Sequence, residues 1–229
     1  MQVVILAAGE GVRMRPLTLT NPKPLLQVGG QTLLDHIFDA LPAEIDHAII
    51  VTKYLGEKIR VYCGENFHGR AVAYADGSDQ GTAYSFLAAK PLVTDDRFLF
   101  LYGDELTDPN DIRAALTQES SIVCFPMDDP WNHGVATVRE DGIITSLEEK
   151  PEHPTSHLVA DGIMVLHKSV FDYHPEKNPK GEYFFTSMVA QYVKDHETVA
   201  VISKQGVGGI STPADIDRVD QYLRAHKSV

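Results

Sequence analysis

"LAAGEGVRMRPLT", residues 6–18, places two glycines, two arginines and a proline directly behind the apolar run "QVVILAA". A short apolar run bounded by glycine reads as a buried strand, and the glycines mark a tight turn at its carboxyl end. In an open α/β sheet that end is where ligands bind. Gly9 and Gly11 let backbone N–H groups converge on phosphate oxygens without a side chain in the way. Arg13 and Arg15 can add bidentate charge-assisted bonds. Alone, the pattern also fits a tight turn with two solvated arginines. A dinucleotide turn fits poorly, because the third glycine of G-x-G-x-x-G is missing and Lys53, not an acid, stands near the end of the second strand.

Outward from this turn, strand-like runs at 3–8, 47–52, 71–75 and 98–102 alternate with helical patterns at 33–41, 57–64 and 82–90. Alternation on this scale predicts parallel crossovers and an open sheet covered on both faces, with first-half strands fully buried. After residue 120 consecutive strand candidates follow, 121–125, 134–138 and 142–149, with "VREDGII" as a hairpin turn. The second half is therefore expected to be more antiparallel. Helical patterns return at 186–196 and 212–226, the latter opening with Thr212 as N-cap, Pro213 and Asp215. The Pro- and His-rich "KPEHPTSH", 150–157, reads as a loop and a candidate wall of a site. The fold class expected is α/β, a three-layer α/β/α Rossmann-like arrangement around a mixed, mostly parallel sheet. The 229 residues are read as one domain with halves 1–120 and 121–229.

A formal net charge of −12 and a pI near 5.2 repel polyanions, so no nucleic-acid partner is expected. The longest apolar stretches fall far below the roughly 18 residues of a spanning helix, so no membrane is expected. Met1 leads straight into a strand without a cleavable leader pattern, which predicts a cytoplasmic protein. Cys63 and Cys124 stand in different apolar contexts and read as buried free thiols.

The longer segment "LAAGEGVRMRPLTLTNPKPLLQVGGQTLLDHIFDAL" resembles the opening of the sugar-1-phosphate nucleotidyltransferases, whose pattern runs LAAGxGTRxxPLTxxxPKPLLxVxGxPLLxH. The resemblance continues at "QGTA" 80–83, "FLFLYGDEL" 98–106, "EEKP" 148–151, "DGIMVLHKSVFD" 161–172 and "GGISTPADI" 208–216. It implies attack by a sugar 1-phosphate oxygen on the α-phosphorus of an NTP, with Mg2+ bound and pyrophosphate expelled. Crowding two anions into line requires cations more than a base, because the phosphate nucleophile is already ionised. The resemblance assigns Arg13 and Lys23 to the triphosphate and Lys150 to the sugar phosphate. It assigns Glu149 to sugar hydroxyls and Asp104 to the metal. It further implies nucleotide contacts at Leu6, Ala8, Gly9, Gly11, Asp76, Gly81 and Thr82, and sugar contacts at Gly103 and Gly162. Glu105 and Asp108 read as supporting or solvated acids, and a homo-oligomer is possible by analogy.

Three departures stand out. Val12 replaces a threonine of the turn, Ala160 stands where many relatives have asparagine, and Gly209 stands where a second metal carboxylate is usual. A water, a substrate oxygen, or Asp161 or Asp215 then completes the metal site, or metal binding and turnover are weakened. Asp76 lies five positions before Gly81, where relatives that use UTP or dTTP carry glutamine. A carboxylate only accepts, which predicts CTP or GTP, although a shift by one turn would bring Gln80 into that role. Trp131 and His133, in "PMDDPWNHG", are candidate sugar contacts. Competing readings are a non-catalytic nucleotide or sugar-phosphate sensor, a regulatory subunit, and a phosphocholine-type cytidylyltransferase.

Overall fold

The computed structural model describes residues 1–178, 181–204 and 210–226. The first half contains β1 (Gln2–Ala7), β2 (Gln27–Val28), β3 (Gln31–Thr32), α1 (Leu33–Ala40), β4 (His47–Thr52) and α2 (Gly56–Cys63). It continues with β5 (Asn66–Phe67), β6 (Arg70–Asp76), α3 (Thr82–Leu87), β7 (Arg97–Tyr102) and α4 (Pro109–Leu116). The second half contains β8 (Ser121–Pro126), β9 (Gly134–Val138), β10 (Ile144–Glu149), β11 (Leu158–His167), α5 (Phe185–Asp195), β12 (Val199–Ile202) and α6 (Pro213–His226).

The main sheet runs β10-β9-β11-β7-β1-β4-β6-β5, with β8 paired to both β11 and β12. Its centre is parallel: β1 lies between β4 and β7, and β6 pairs with β4. β11 turns the sheet antiparallel against β7, β8 and β9. Alternation along β1 supplies two cores. Val4 and Leu6 join Phe86 of α3 and Met188 and Tyr192 of α5, while Val3 and Ile5 join Ile37 and Phe38 of α1, Ile59 of α2 and Ile112 of α4. Phe86 stacks on Phe171 at 4.5 Å between centroids and contacts Phe185 at 4.2 Å.

The fold is α/β as the sequence predicts, with an antiparallel second half and a β9–β10 hairpin through Gly142, whose φ is 85°. Several particulars differ, the short strands β2, β3 and β5 among them. β6 is only partly buried, because its outer neighbour β5 is two residues long and leaves it close to the sheet edge. α4 is absent from the sequence expectation, although Asp108 caps it by accepting from Asn110 N at 2.7 Å and Pro109 opens it. β12 is likewise additional, a four-residue strand of partly exposed residues. No described helix is long and apolar enough to cross a membrane. Cys63 and Cys124 are buried free thiols, and burial pushes both up to about 12.

α1 begins with a capping box in which Thr32 and Asp35 exchange bonds. Asp35 also accepts from Tyr62 OH at 2.7 Å and faces His68 Nε2 at 3.0 Å, tying α1 to α2 and to the β5–β6 turn. Burial alone raises the Asp35 carboxyl, but the bonds from Thr32, Tyr62 and His68 outweigh it and bring it down to about 2. A carboxylate depressed by folding stabilises the native state above its unfolded value, and that stability is lost as pH falls through the folded value. Asp35→Ala is therefore expected to lose on the order of 2 kcal/mol at neutral pH. Urea unfolding across pH should show that the difference from wild type shrinks between pH 4 and pH 2, and a constant difference would contradict it.

Candidate active site

The carboxyl ends of β1, β4 and β7 open into one cleft of about 1410 Å³, roomy enough for two small ligands side by side. Its floor on one side is the turn after β1. Gly11 sits at φ 60°, and a Cβ there would meet Thr18 Cγ2 at 3.0 Å and Lys23 Cβ at 3.2 Å. The Thr18 hydroxyl donates to Gly11 O at 2.8 Å, folding the turn back on itself. Met14 is buried beneath it while Val12 and Arg13 are exposed.

Lys23 lies in the short helical turn Lys23–Leu25, its side chain 9% exposed, and its ammonium donates to Asp104 Oδ2 at 2.6 Å. Asp104 follows β7, whose end is pinned to β1 by Gly103 N donating to Leu6 O at 2.9 Å. Two further acids, Glu105 and Asp161, line the cleft beside Asp104. Burial first, then Asp104 and Asp161, raise the Glu105 carboxyl well above the usual carboxylate range, and burial raises Asp161 as well.

The opposite wall comes from the second half. β10 ends in Glu149, whose Oε2 accepts from Thr186 Oγ1 at 2.7 Å. Lys150 follows at φ 48°, its N–H donating to His133 O at 2.9 Å and its Nζ 3.5 Å from Glu149 Oε1. Between the walls, Gly81 starts α3 at φ 110°, with Tyr183 backbone so close that a Cβ has no space. Thr82 accepts from Phe185 N at 2.9 Å.

Arg13, Lys23, Asp104, Glu149 and Lys150 therefore line a single cleft, as do Leu6, Ala8, Gly9, Gly11, Gly81 and Thr82. Three of the expected residues fall outside this lining. Asp76 is not in the cleft: its carboxylate is 94% exposed and pairs with Arg60 of α2 at 2.6 Å. Gly103 and Gly162 do not line it either. Gly103 is a packing position, where a Cβ would meet Ala7 Cβ at 2.9 Å, and Gly162 leaves room for Glu105 and Tyr102. Among the other candidates, Asp108 caps α4, and Asp215 caps α6 by accepting from Ser211 N and Thr212 N. Ala160 and His133 line the cleft, Trp131 stands outside it, and of the loop 150–157 only Lys150 takes part. Gly209 lies outside the described residues.

Sequence reasoning missed Ser78, Ser85, Phe125, Phe184 and Thr186, which also line the cleft, whereas Met127 lies in the segment "PMDDPWNHG". The signal available for Thr186 was its place at the start of a helical pattern. Nothing local marks the others.

Known proteins resemble this chain in sequence and fold. The family described as "Nucleotidyl transferase" matches residues 2–229. The "Bifunctional protein GlmU" of Methanocaldococcus jannaschii is 30% identical over 97% of this chain and 54% of its own length. The chain thus spans about half the length of that relative. The "UTP--glucose-1-phosphate uridylyltransferase AglF" of Haloferax volcanii is 29% identical over 98% of this chain and 97% of its own. A crystal structure from Bacillus anthracis, described as a candidate glucose-1-phosphate thymidylyltransferase in complex with a sucrose, superimposes with a TM-score of 0.82. It covers 98% of this chain and 95% of its own at 24% identity, and shows the fold.

Proposed function

This chain belongs to the nucleotidyl transferase family, and on that premise we propose that it joins an NTP and a sugar 1-phosphate to give an NDP-sugar and pyrophosphate. The observation that carries the reading is the convergence of Arg13, Lys23, Asp104 and Lys150 on one cleft at the carboxyl ends of parallel strands. The nucleotide takes the wall built by residues 1–120 and the sugar phosphate the wall built by 121–229. A sugar acceptor is supported by a relative of nearly equal length whose printed name includes glucose 1-phosphate.

In this reading the backbone N–H groups at Gly9 and Gly11 and the guanidinium of Arg13 hold the triphosphate. Lys23, fixed by Asp104, keeps its charge beside the phosphates without searching rotamers. Lys150 draws the acceptor phosphate toward the α-phosphorus, and Glu149, oriented by Thr186, accepts from a sugar hydroxyl. No side chain has to remove a proton, since the attacking oxygen is already anionic. The residues supply alignment and charge, and these two effects account for most of the rate enhancement in phosphoryl and nucleotidyl transfer.

Mg2+ fits this chain in a limited way. Asp104 lines the cleft with its side chain 41% exposed; Lys23 takes Oδ2, and Oδ1 has no hydrogen bond among the described residues. No group of three or more His, Cys, Asp or Glu able to hold a metal occurs among the described residues. A single carboxylate plus phosphate oxygens is an ordinary Mg2+ environment, so Asp104 would hold the ion together with the substrate. When bound, the ion neutralises the triphosphate.

A pyrophosphate-release assay with the four nucleotides, each paired with a set of sugar 1-phosphates, tests the proposal; release that requires both partners supports it, and binding without release supports a sensor instead. The same assay addresses base choice. Because the Asp76 carboxylate is spent on Arg60, Asp76→Asn is expected to leave the order of the four nucleotides unchanged. A reordering would return Asp76 to the base.

A further inference from the structure

Lys150 has an unusual setting. Its backbone is left-handed at φ 48°, a conformation that non-glycine residues seldom adopt, and its side chain is 46% exposed. A half-exposed lysine with four rotatable bonds samples many rotamers unless something holds it. Its acidic neighbour is a weak restraint: Glu149 Oε1 is 3.5 Å away, and the other carboxylate oxygen is committed to Thr186. Among the described residues its Nζ also meets the ring of Phe184, whose centroid lies 4.7 Å away.

Two features of Phe184 are unexplained by folding. It occupies the N-cap of α5, where Ser, Thr, Asp or Asn would accept from a free N–H, and no side-chain cap bond is made there. Unlike Phe185, which is fully buried in the core, Phe184 belongs to neither sheet core and its ring lines the cleft. Its backbone is nonetheless immobilised on both sides. Tyr183 O accepts from Ala83 N at 3.1 Å, and Phe185 N donates to Thr82 Oγ1 at 2.9 Å. A rigid backbone thus presents an aromatic face to a lysine that lacks a strong partner.

We propose that Phe184 is a positioning residue for nucleotidyl transfer, its ring face holding the Lys150 ammonium toward the acceptor phosphate while Thr186 holds Glu149. The first turn of α5 then sets two consecutive residues of the acceptor wall. The electrostatic attraction of an ammonium to an aromatic face is sensitive to the π-system rather than to apolar bulk, which separates this role from packing. The inference rests on the assignment of Lys150 to the acceptor phosphate.

Phe184→Leu keeps an apolar side chain without the ring. It is expected to lower kcat by about tenfold with an unchanged KM for the nucleotide, and Phe184→Trp is expected to restore the rate. In a Lys150→Met background Phe184→Leu should cost nothing further, because its effect passes through the ammonium. Losses that add in the double variant, or failure of tryptophan to rescue, would overturn the proposal. A readout independent of turnover is the modification of Lys150 by an amine-acylating reagent at fixed pH, followed by peptide mass spectrometry. Severalfold faster labelling in Phe184→Leu and wild-type labelling in Phe184→Trp are expected; equal labelling in all three overturns the positioning role. If no nucleotide and acceptor pair releases pyrophosphate, the transfer reading of the cleft fails, and labelling still decides whether Phe184 holds Lys150.

Discussion

Asp104→Asn is expected to reduce pyrophosphate release by about a hundred- to a thousand-fold and to lower the melting temperature in the same variant. Both effects come from one carboxylate with two duties. Its Oδ2 neutralises Lys23, which is 9% exposed, and its Oδ1 is available to a phosphate-bound cation. Asparagine keeps the shape and one acceptor but removes the charge. Leaving a buried ammonium without a counter-charge is costly, but Asp104 is 41% exposed and water screens the pair. The stability loss should therefore be about 1 kcal/mol, or a few degrees of melting temperature. Steady-state kinetics with a thermal melt checks both, and calorimetry of Mg2+ with nucleotide should show weaker binding. Full activity in the variant would remove Asp104 from the chemistry.

Arg13→Ala is expected to lose about a hundredfold in kcat/KM for the nucleotide with the melting temperature unchanged. Its side chain is exposed and makes no hydrogen bond or ion pair among the described residues, in contrast to Arg15, which pairs with Glu10 at 3.3 Å. An exposed arginine with no partner among the described residues makes no contact in the apoprotein whose loss would lower stability. Arg13→Lys should recover only part of the loss, since a point charge cannot make the two parallel bonds of a guanidinium. Kinetics of the three proteins side by side decides this. A destabilised Arg13→Ala, or a fully active Arg13→Lys, would contradict the assignment.

Much of this arrangement was legible in the chain because short-range patterns carry it. β1 is a continuous apolar run, and the turn behind it is marked by glycines, of which Gly11 is required by its φ of 60° and by the Thr18 and Lys23 side chains that a Cβ would crowd. Lys23, Asp104 and Lys150 could be singled out because each sits within a motif of the family resemblance, Asp104 and Lys150 directly after β7 and β10 and Lys23 in a helical turn. What the sequence hides is direction. Asp76 ends β6, and its exposed carboxylate pairs with Arg60 of α2, a contact between a strand end and a helix that no local pattern spells out. Gly103 and Gly162 carry no side chain to point, and their role emerges only when the crowding around them is measured. Phe184 was unreadable for the same reason: in "EYFFTSMV" nothing distinguishes it from Phe185, and only the register of α5 sends one ring into the core and the other into the cleft.

The central claim is that one cleft holds a nucleoside triphosphate and a sugar phosphate in line for transfer at the α-phosphorus. Incubation with α-32P-labelled nucleotide and a sugar 1-phosphate tests it directly. The account predicts label in a sugar nucleotide, formed in equal amount to unlabelled pyrophosphate. Label confined to nucleoside mono- or diphosphate, or remaining in triphosphate that is bound but never consumed across all pairs, would contradict it.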